Sequence, residues 1–257
     1  MSRPAAERRE ELVELYKQAR VCTRCPLHET RTQVVFGNGN ADADLMFVGE
    51  APGASEDAQG LPFVGRAGKL LGEMLGENGM TREDVFVTNV LKSRPPGNRD
   101  PEAEEIQACR PYLQRQVELI EPRVICTLGN FSTKLLRGDP TGISRLHGQA
   151  EILVIGARAV RLYPLFHPAA ALYTRSLLET LQADFARLPA LLALDPPKQP
   201  EPAATPEPAR AERPEIVAAL PAPPIAEPDR QATASPAQLE PPADEDEGSD
   251  ERQLGLF

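Results

Sequence analysis

The residues of this 257-residue chain equipped for chemistry fall into four groups: four cysteines, one histidine before a proline, one asparagine in an apolar run, and one glycine-rich acidic loop. Cys22 and Cys25 form the pair "CTRCPL", and Cys109 and Cys126 follow with 83 and then 16 residues between successive cysteines. Four soft sulfur ligands suit either a structural zinc or an iron–sulfur cluster, and spacing alone does not separate the two. A redox C-x-x-C belongs in a thioredoxin-like pattern, and this pair precedes any strand. Incidental cysteines are the plain alternative, with Cys126 a core residue of "RVICTLG" and Cys109 on a helix face. His167, in "FHPAA", follows a strand and is fixed by Pro168, so its imidazole can donate a hydrogen bond to a developing negative charge. Asn89 sits inside "VFVTNVL", where a buried amide needs partners, and a neighbouring loop would satisfy it as well as a ligand. The stretch "GEAPGASEDAQGLPFVGRAGKLL", residues 49 to 71, carries glycines and acids between an apolar strand and a helix.

Those groups need elements to hold them. "LMFVGE" (45 to 50), "DVFVTNVL" (84 to 91), "RVICTLG" (123 to 129) and "VRLYPLFHP" (160 to 168) read as short buried strands, and "AEILVIGARAV" as a hairpin or extra strand. "PAAERREELVELYKQAR" reads as an amphipathic first helix. "AGKLLGEMLGENG", "DPEAEEIQACRPYLQRQVELIEP" and "GNFSTKLLRG" read as further helices, with stops at Gly79, Pro122 and Gly138. Strands alternating with helices predict a three-layer α/β/α fold around a mostly parallel sheet. In such folds ligands bind beyond the carboxyl ends of the strands, where every conspicuous polar motif here falls.

Composition divides the chain. Residues 1 to 194 hold 23 Lys and Arg against 24 Asp and Glu, whereas residues 195 to 257 hold 5 against 14. The acidity therefore belongs to the last quarter and does not argue against an acidic partner for the rest. That last quarter also holds 14 of the 27 prolines and one aromatic, Phe257, a composition unable to offset its ordering entropy. We expect three parts: a folded domain over 1–194, a disordered Pro/Ala/Glu-rich linker over 195–252, and a short terminal peptide over 253–257. With no signal-peptide pattern and no run of about 18 apolar residues, a cytoplasmic, nucleoid-associated protein is expected.

Taken together, "GEAPGASEDAQGLPFVGRAGKLL", "TNVLKSRPPGNRDP", "HPAAAL" and the cysteine spacing resemble the family 4 uracil-DNA glycosylases, the iron–sulfur branch of that superfamily, over nearly all of residues 12 to 188. The resemblance implies a parallel sheet flanked by helices and a monofunctional enzyme that flips uracil out of DNA, removes it by hydrolysis and leaves an abasic site in base excision repair. It also implies a structural [4Fe-4S] cluster on Cys22, Cys25, Cys109 and Cys126; a monomer is expected. On it, Asn89 reads the O4 and N3 edge of uracil, Phe63 stacks on the base, and His167 is the donor near O2. Gly49 and Gly53 admit the base and sugar, with Glu50 and Ala51 in the same loop. Family 1 enzymes carry an Asp where this chain has Ala51, so Glu56 and Asn98 are expected to handle the water, with Glu50 bracing the loop. Lys92, Arg94 and Arg99 are expected on DNA phosphates, although a solvated charge run would look the same. Leu172 or Tyr173 is the expected wedge for the gap left by the flipped base. The covalent uracil-binding branch carries a His-containing basic insertion where this chain has "RPPGNRD", which favours turnover.

Two alternatives from other classes stay open on sequence: a non-catalytic iron–sulfur DNA-binding or damage-sensing module, which needs neither Asn89 nor His167, and a zinc-stabilised α/β hydrolase. The terminal "QLGLF" resembles the pentapeptide by which bacterial repair proteins dock on the sliding clamp, with Gly255 as the departure. Leu256 and Phe257 would enter an apolar pocket while Gln253 makes a polar contact, with Leu254 part of the same docking peptide. A 58-residue coil would give this peptide a reach of roughly 40 Å.

Overall fold

The computed structural model of the chain describes residues 3–200. The expected linker lies outside the described residues apart from its first six, as do Gln253, Leu254, Leu256 and Phe257 of the expected docking peptide.

Four strands that the sequence reads as apolar runs form the centre of a six-stranded sheet: β2 (Leu45–Gly49), β3 (Val85–Asn89), β4 (Val124–Leu128) and β6 (Arg158–Leu165). They pair in parallel in the order β3-β2-β4-β6. The edges are antiparallel: β1 (Asn38–Gly39) on β3, and β5 (Glu151–Ile155), which forms a hairpin with β6. Every residue of β2, β3 and β4 is buried, as expected for strands covered on both faces.

Helices α1 (Ala5–Arg20) and α4 (Ala103–Ile120) cover one face. Leu12, Tyr16, Tyr112 and Val117 there meet Met46, Val48, Phe86 and Ile125 of the sheet. α3 (Arg66–Glu77), α8 (Arg175–Phe185) and α9 (Leu188–Ala193) cover the other, where Leu71, Leu75 and Phe185 meet Phe47, Val87, Cys126 and Tyr163. The expected three-layer fold is therefore present. Among the described residues there are also four short α-helices: α2 (Ala54–Gln59) inside the glycine-rich loop, α5 (Asn130–Arg137) after β4, α6 (Ile143–Leu146), and α7 (Pro168–Ala171) at the end of β6. The expected stops appear as left-handed caps at Glu121 and Gly138, and Gly79 also takes a positive φ. No helix among the described residues is long and apolar enough to cross a membrane.

The chain order reverses between β2 and β4: after β2 it crosses to β3 on one side, then returns to β4 on the other. At such a switch point the loops leaving adjacent strands diverge and open a crevice. The carboxyl ends there are Asn89, Gly49, the residue after Leu128, and the residues after Leu165.

Candidate active site

Parallel register sets Gly49 directly beside Asn89 at the ends of β2 and β3. The asparagine is 2% exposed. A Cβ on Gly49 would lie 2.3 Å from Asn89 Oδ1 and 2.8 Å from Phe63 Cζ, so the missing side chain is what lets that amide and that ring share one corner. Phe63 adopts φ 54°, left-handed and costly for a bulky residue. Its loop is held from two sides. Glu56 Oε1 accepts the Val64 and Gly65 N–H groups at 3.1 Å each, and the start of α3 packs so closely that a Cβ on Gly68 would lie 1.7 Å from the Phe63 carbonyl oxygen. Bracing thus falls to Glu56, where the sequence reading assigns it to Glu50. Burial, with Asp100 adding to it, raises the Glu50 carboxyl above its ordinary value.

His167 caps α7 at the end of β6. Its Nδ1 accepts the Ala169 N–H at 3.1 Å, and a backbone amide can only donate, so the neutral ring carries its proton on Nε2. Burial pushes its pKa down to about 4, against a smaller upward pull from the Glu56 charge. The imidazole is therefore a neutral donor at physiological pH. Its ring lies 5.7 Å from that of Phe63, with 27° between the planes. Gly129, at φ 95° after β4, passes behind it, where a Cβ would come 3.2 Å from His167 Cβ.

A cavity of about 400 Å³ gathers these groups: Glu50, Ala51, Gly53, Glu56, Phe63, Asn89, Asn98, Arg99 and His167 line it, together with Pro52, Ala67, Pro95 and Ala169. It is sized for a small ligand, with few polar groups on an apolar lining. A larger groove of about 650 Å³ adjoins it through Glu50 and His167 and continues past Gly129, Asn130, Phe131 and Lys134. Of the other histidines, His28 turns Nδ1 to the Cys25 carbonyl at 2.8 Å and His147 pairs with Asp184 at 2.8 Å, both away from the cavity.

The basic motif divides. Lys92 corrects the expectation of a phosphate contact. It is 2% exposed, and its Nζ donates to Thr88 Oγ1, the Asn89 carbonyl and Gln116 Oε1, each at 2.7 Å, so all three protons are used inside the protein. Arg99 is tied to Glu105 and Glu102, which cap α4. Arg94 Nε donates to Asn98 Oδ1 at 2.7 Å. Tyr173 is 77% exposed beside half-buried Leu172, and Arg66 donates to Tyr173 Oη at 3.2 Å with its guanidinium 5.3 Å from the ring. Sequence reasoning passed over Arg66, Ala67 and Gly129. The signals were there, in "VGRAGK" within the quoted loop and in a glycine straight after the third long strand.

The cysteines also divide. Cys22, Cys25 and Cys109 border the α1/α4 face, and Cys109 feels the charges of both others. Cys126 is fully buried in the opposite core, where burial pushes its thiol well above its ordinary value. No three His, Cys, Asp or Glu side chains among the described residues converge as ligands of one ion. Because Cys126 lies in the opposite core, a site made of all four thiolates does not fit the arrangement, whereas three of the expected ligands share one neighbourhood.

Comparison with known proteins gives a consistent result. A family model described as the uracil DNA glycosylase superfamily matches residues 36–189. A type-4 uracil-DNA glycosylase of Archaeoglobus fulgidus is 45% identical over 183 residues, 70% of this chain and 92% of the relative. One from Sulfurisphaera tokodaii is 46% identical over 172 residues, 65% of this chain and 78% of the relative, and one from Thermotoga maritima is 46% identical over 170 residues, 65% and 87%.

Proposed function

The chain belongs to the uracil DNA glycosylase superfamily, and on that premise we propose how its cavity removes uracil from DNA. The enzyme hydrolyses the N-glycosyl bond of a flipped-out deoxyuridine, releasing the base and leaving an abasic site. The observation that carries this reading is the meeting of a buried asparagine amide, an aromatic ring and a neutral histidine donor in one small cavity at the switch point. A damage-sensing module without catalysis would not require that combination.

In the proposed division of work, uracil enters between the strand ends and stacks on Phe63. The Asn89 amide pairs with O4 and N3, a pattern cytosine does not match; thymine must be excluded sterically near C5. As the C–N bond breaks toward an oxocarbenium-like sugar, negative charge develops on the base, and the His167 Nε2–H is aimed at O2 to receive it. Glu56 has one oxygen spent on the Phe63 loop, and its other oxygen, on the Gly53 side of the cavity, is assigned with Asn98 to the attacking water. Arg94 stays a candidate for phosphate contact and Arg66 joins it, Lys92 being buried, and Leu172 or Tyr173 fills the gap in the stack. The adjoining groove along α5 suits the strand flanking the flipped nucleotide. By the resemblance an iron–sulfur site belongs beside Cys22, Cys25 and Cys109, where a bound cluster would tie the end of α1 to α4. No step of the hydrolysis runs through it.

The product decides this reading: a uracil-containing oligonucleotide is expected to yield free uracil and an intact strand that breaks only on alkaline treatment. Direct strand cleavage, or no uracil release, contradicts it. The histidine sets the pH dependence. Its folded pKa lies below the ordinary 6.5, so the neutral donor persists as pH falls until about 4. We expect kcat/KM for uracil release to hold through pH 6 and 5 and to fall only near pH 4; activity that rises as pH falls through 6.5 would mean that the imidazolium is the donor.

Salt dependence separates the cations. Arg66→Ala is expected to reduce the slope of log affinity against log salt by about 1. Lys92→Met should leave that slope unchanged while costing about 1–3 kcal/mol of stability, because it orphans buried acceptors. Beyond the catalytic domain, we propose that "QLGLF" docks on the sliding clamp and that the enzyme works as a cytoplasmic monomer beside the nucleoid. Deleting residues 253–257 should spare excision on short oligonucleotides and abolish co-elution with the clamp; unchanged co-elution sinks the idea.

A further inference from the structure

Four thiolates are what the cofactor reading asks for, and the fold delivers three. In β4 side chains alternate: Val124, Cys126 and Leu128 face the α3/α8 layer, whereas Ile125 faces the α1/α4 layer. Cys126 pairs in register with Phe47 and Tyr163, both of its own core, so the sheet itself stands between it and the other cysteines. Bringing it across would require a one-residue slip of a central strand, which would turn every neighbour in β4 to the wrong face.

The neighbourhood of the other three contains another group able to ligate. The Lys92 backbone N–H donates to Cys109 Sγ at 3.5 Å, which sets the next residue, Ser93, alongside that thiol. Ser93 is 4% exposed, and the hydrogen bond its Oγ receives, from Arg31 Nη1, is long at 3.4 Å. The charge of the same arginine acts on Cys25. Other donors nearby are committed. The Glu105 carboxylate, whose charge also reaches Cys25, is held by Arg99 and by the Glu102 N–H at 2.8 Å, and His28 is turned to the Cys25 carbonyl.

We propose that the iron–sulfur site of this protein consists of three thiolates, Cys22, Cys25 and Cys109, with Ser93 Oγ as the fourth ligand, and that Cys126 is a core residue. The proposal rests on the cofactor reading above. On coordination the hydroxyl gives up its proton and binds one iron as an oxygen donor. Thiolate is the softer, preferred ligand of such clusters, so this iron is the one held least firmly.

The test uses full-length protein purified without oxygen, with iron and sulfide per chain, visible absorbance, and the three-iron paramagnetic signal after titration with ferricyanide. Cys126→Ala and the closer-packing Cys126→Val should keep wild-type iron, sulfide and absorbance, whereas Cys109→Ala should lose them. Wild type should shed one iron on oxidation and show the three-iron signal. Ser93→Ala should do so faster, and Ser93→Cys should resist. Loss of the cluster in both folded Cys126 variants, or equal rates of iron loss in wild type and Ser93→Ala, overturns the proposal while leaving the cofactor reading intact. Zinc in place of iron in the wild type overturns both.

Discussion

Gly49→Ala is expected to lower kcat/KM for uracil release by about 100-fold or more and to cost about 1–3 kcal/mol of stability. The added methyl would sit 2.3 Å from Asn89 Oδ1 and 2.8 Å from Phe63 Cζ, both far inside contact distance. Neither partner can move away freely. Asn89 is buried at the end of a central strand, and Phe63 sits in a left-handed loop pinned by Glu56 and α3. The clash therefore displaces the groups that read and stack the base by on the order of 1 Å, a misplacement that costs about 100-fold when it falls on a reacting geometry. Gly72 provides the control. It lies within α3, where an added methyl would meet nothing within 4 Å, so Gly72→Ala should leave activity unchanged and stabilise the helix by roughly 0.5–1 kcal/mol. Rates for the two variants, with circular-dichroism melting curves, check the prediction; equal activity in both would show that the Gly49 corner is not where the base binds.

His167→Ala should lower kcat by about 10²–10³-fold with a smaller effect on KM, because its hydrogen bond strengthens as charge develops on the departing base. The structure explains why a neutral ring serves. The Ala169 N–H occupies Nδ1, Gly129 closes off the back of the ring, and burial disfavours a second proton. A preorganised neutral donor stabilises an anion without first having to hold a charge of its own. His167→Gln retains an N–H donor of similar reach and should recover part of the loss. Single-turnover rates for the three proteins test this, and a large KM effect with kcat unchanged would assign His167 to binding alone.

Much of the fold was legible because its strands are short, apolar and followed by turn residues, and because helices lie between them. Asn89, His167 and the glycine loop could be placed at strand ends without coordinates, since an interrupted apolar run marks the end of a buried strand. The small helices α2, α6 and α7 were not legible, as four to six residues carry too little periodicity. Lys92 was misplaced because a lysine beside two arginines reads as surface charge. Only the tertiary structure shows that Thr88, Gln116 and the Asn89 carbonyl receive its three protons. Cys126 was misplaced because counting cysteines ignores the face on which each one lies. The alternation of "VICTL" already put Cys126 on the face of Val124 and Leu128, but only the structure shows the other cysteines with the cluster on the Ile125 side.

The central claim is that the Asn89 amide, facing Phe63 and His167, selects uracil for excision. Release of free base from matched oligonucleotides carrying uracil, cytosine or thymine at one position, by wild type and by Asn89→Ala, tests it most directly. The account predicts release of uracil alone by the wild type, and a fall on the order of 100-fold or more in Asn89→Ala with the melting curve retained. Undiminished uracil release by Asn89→Ala would contradict it.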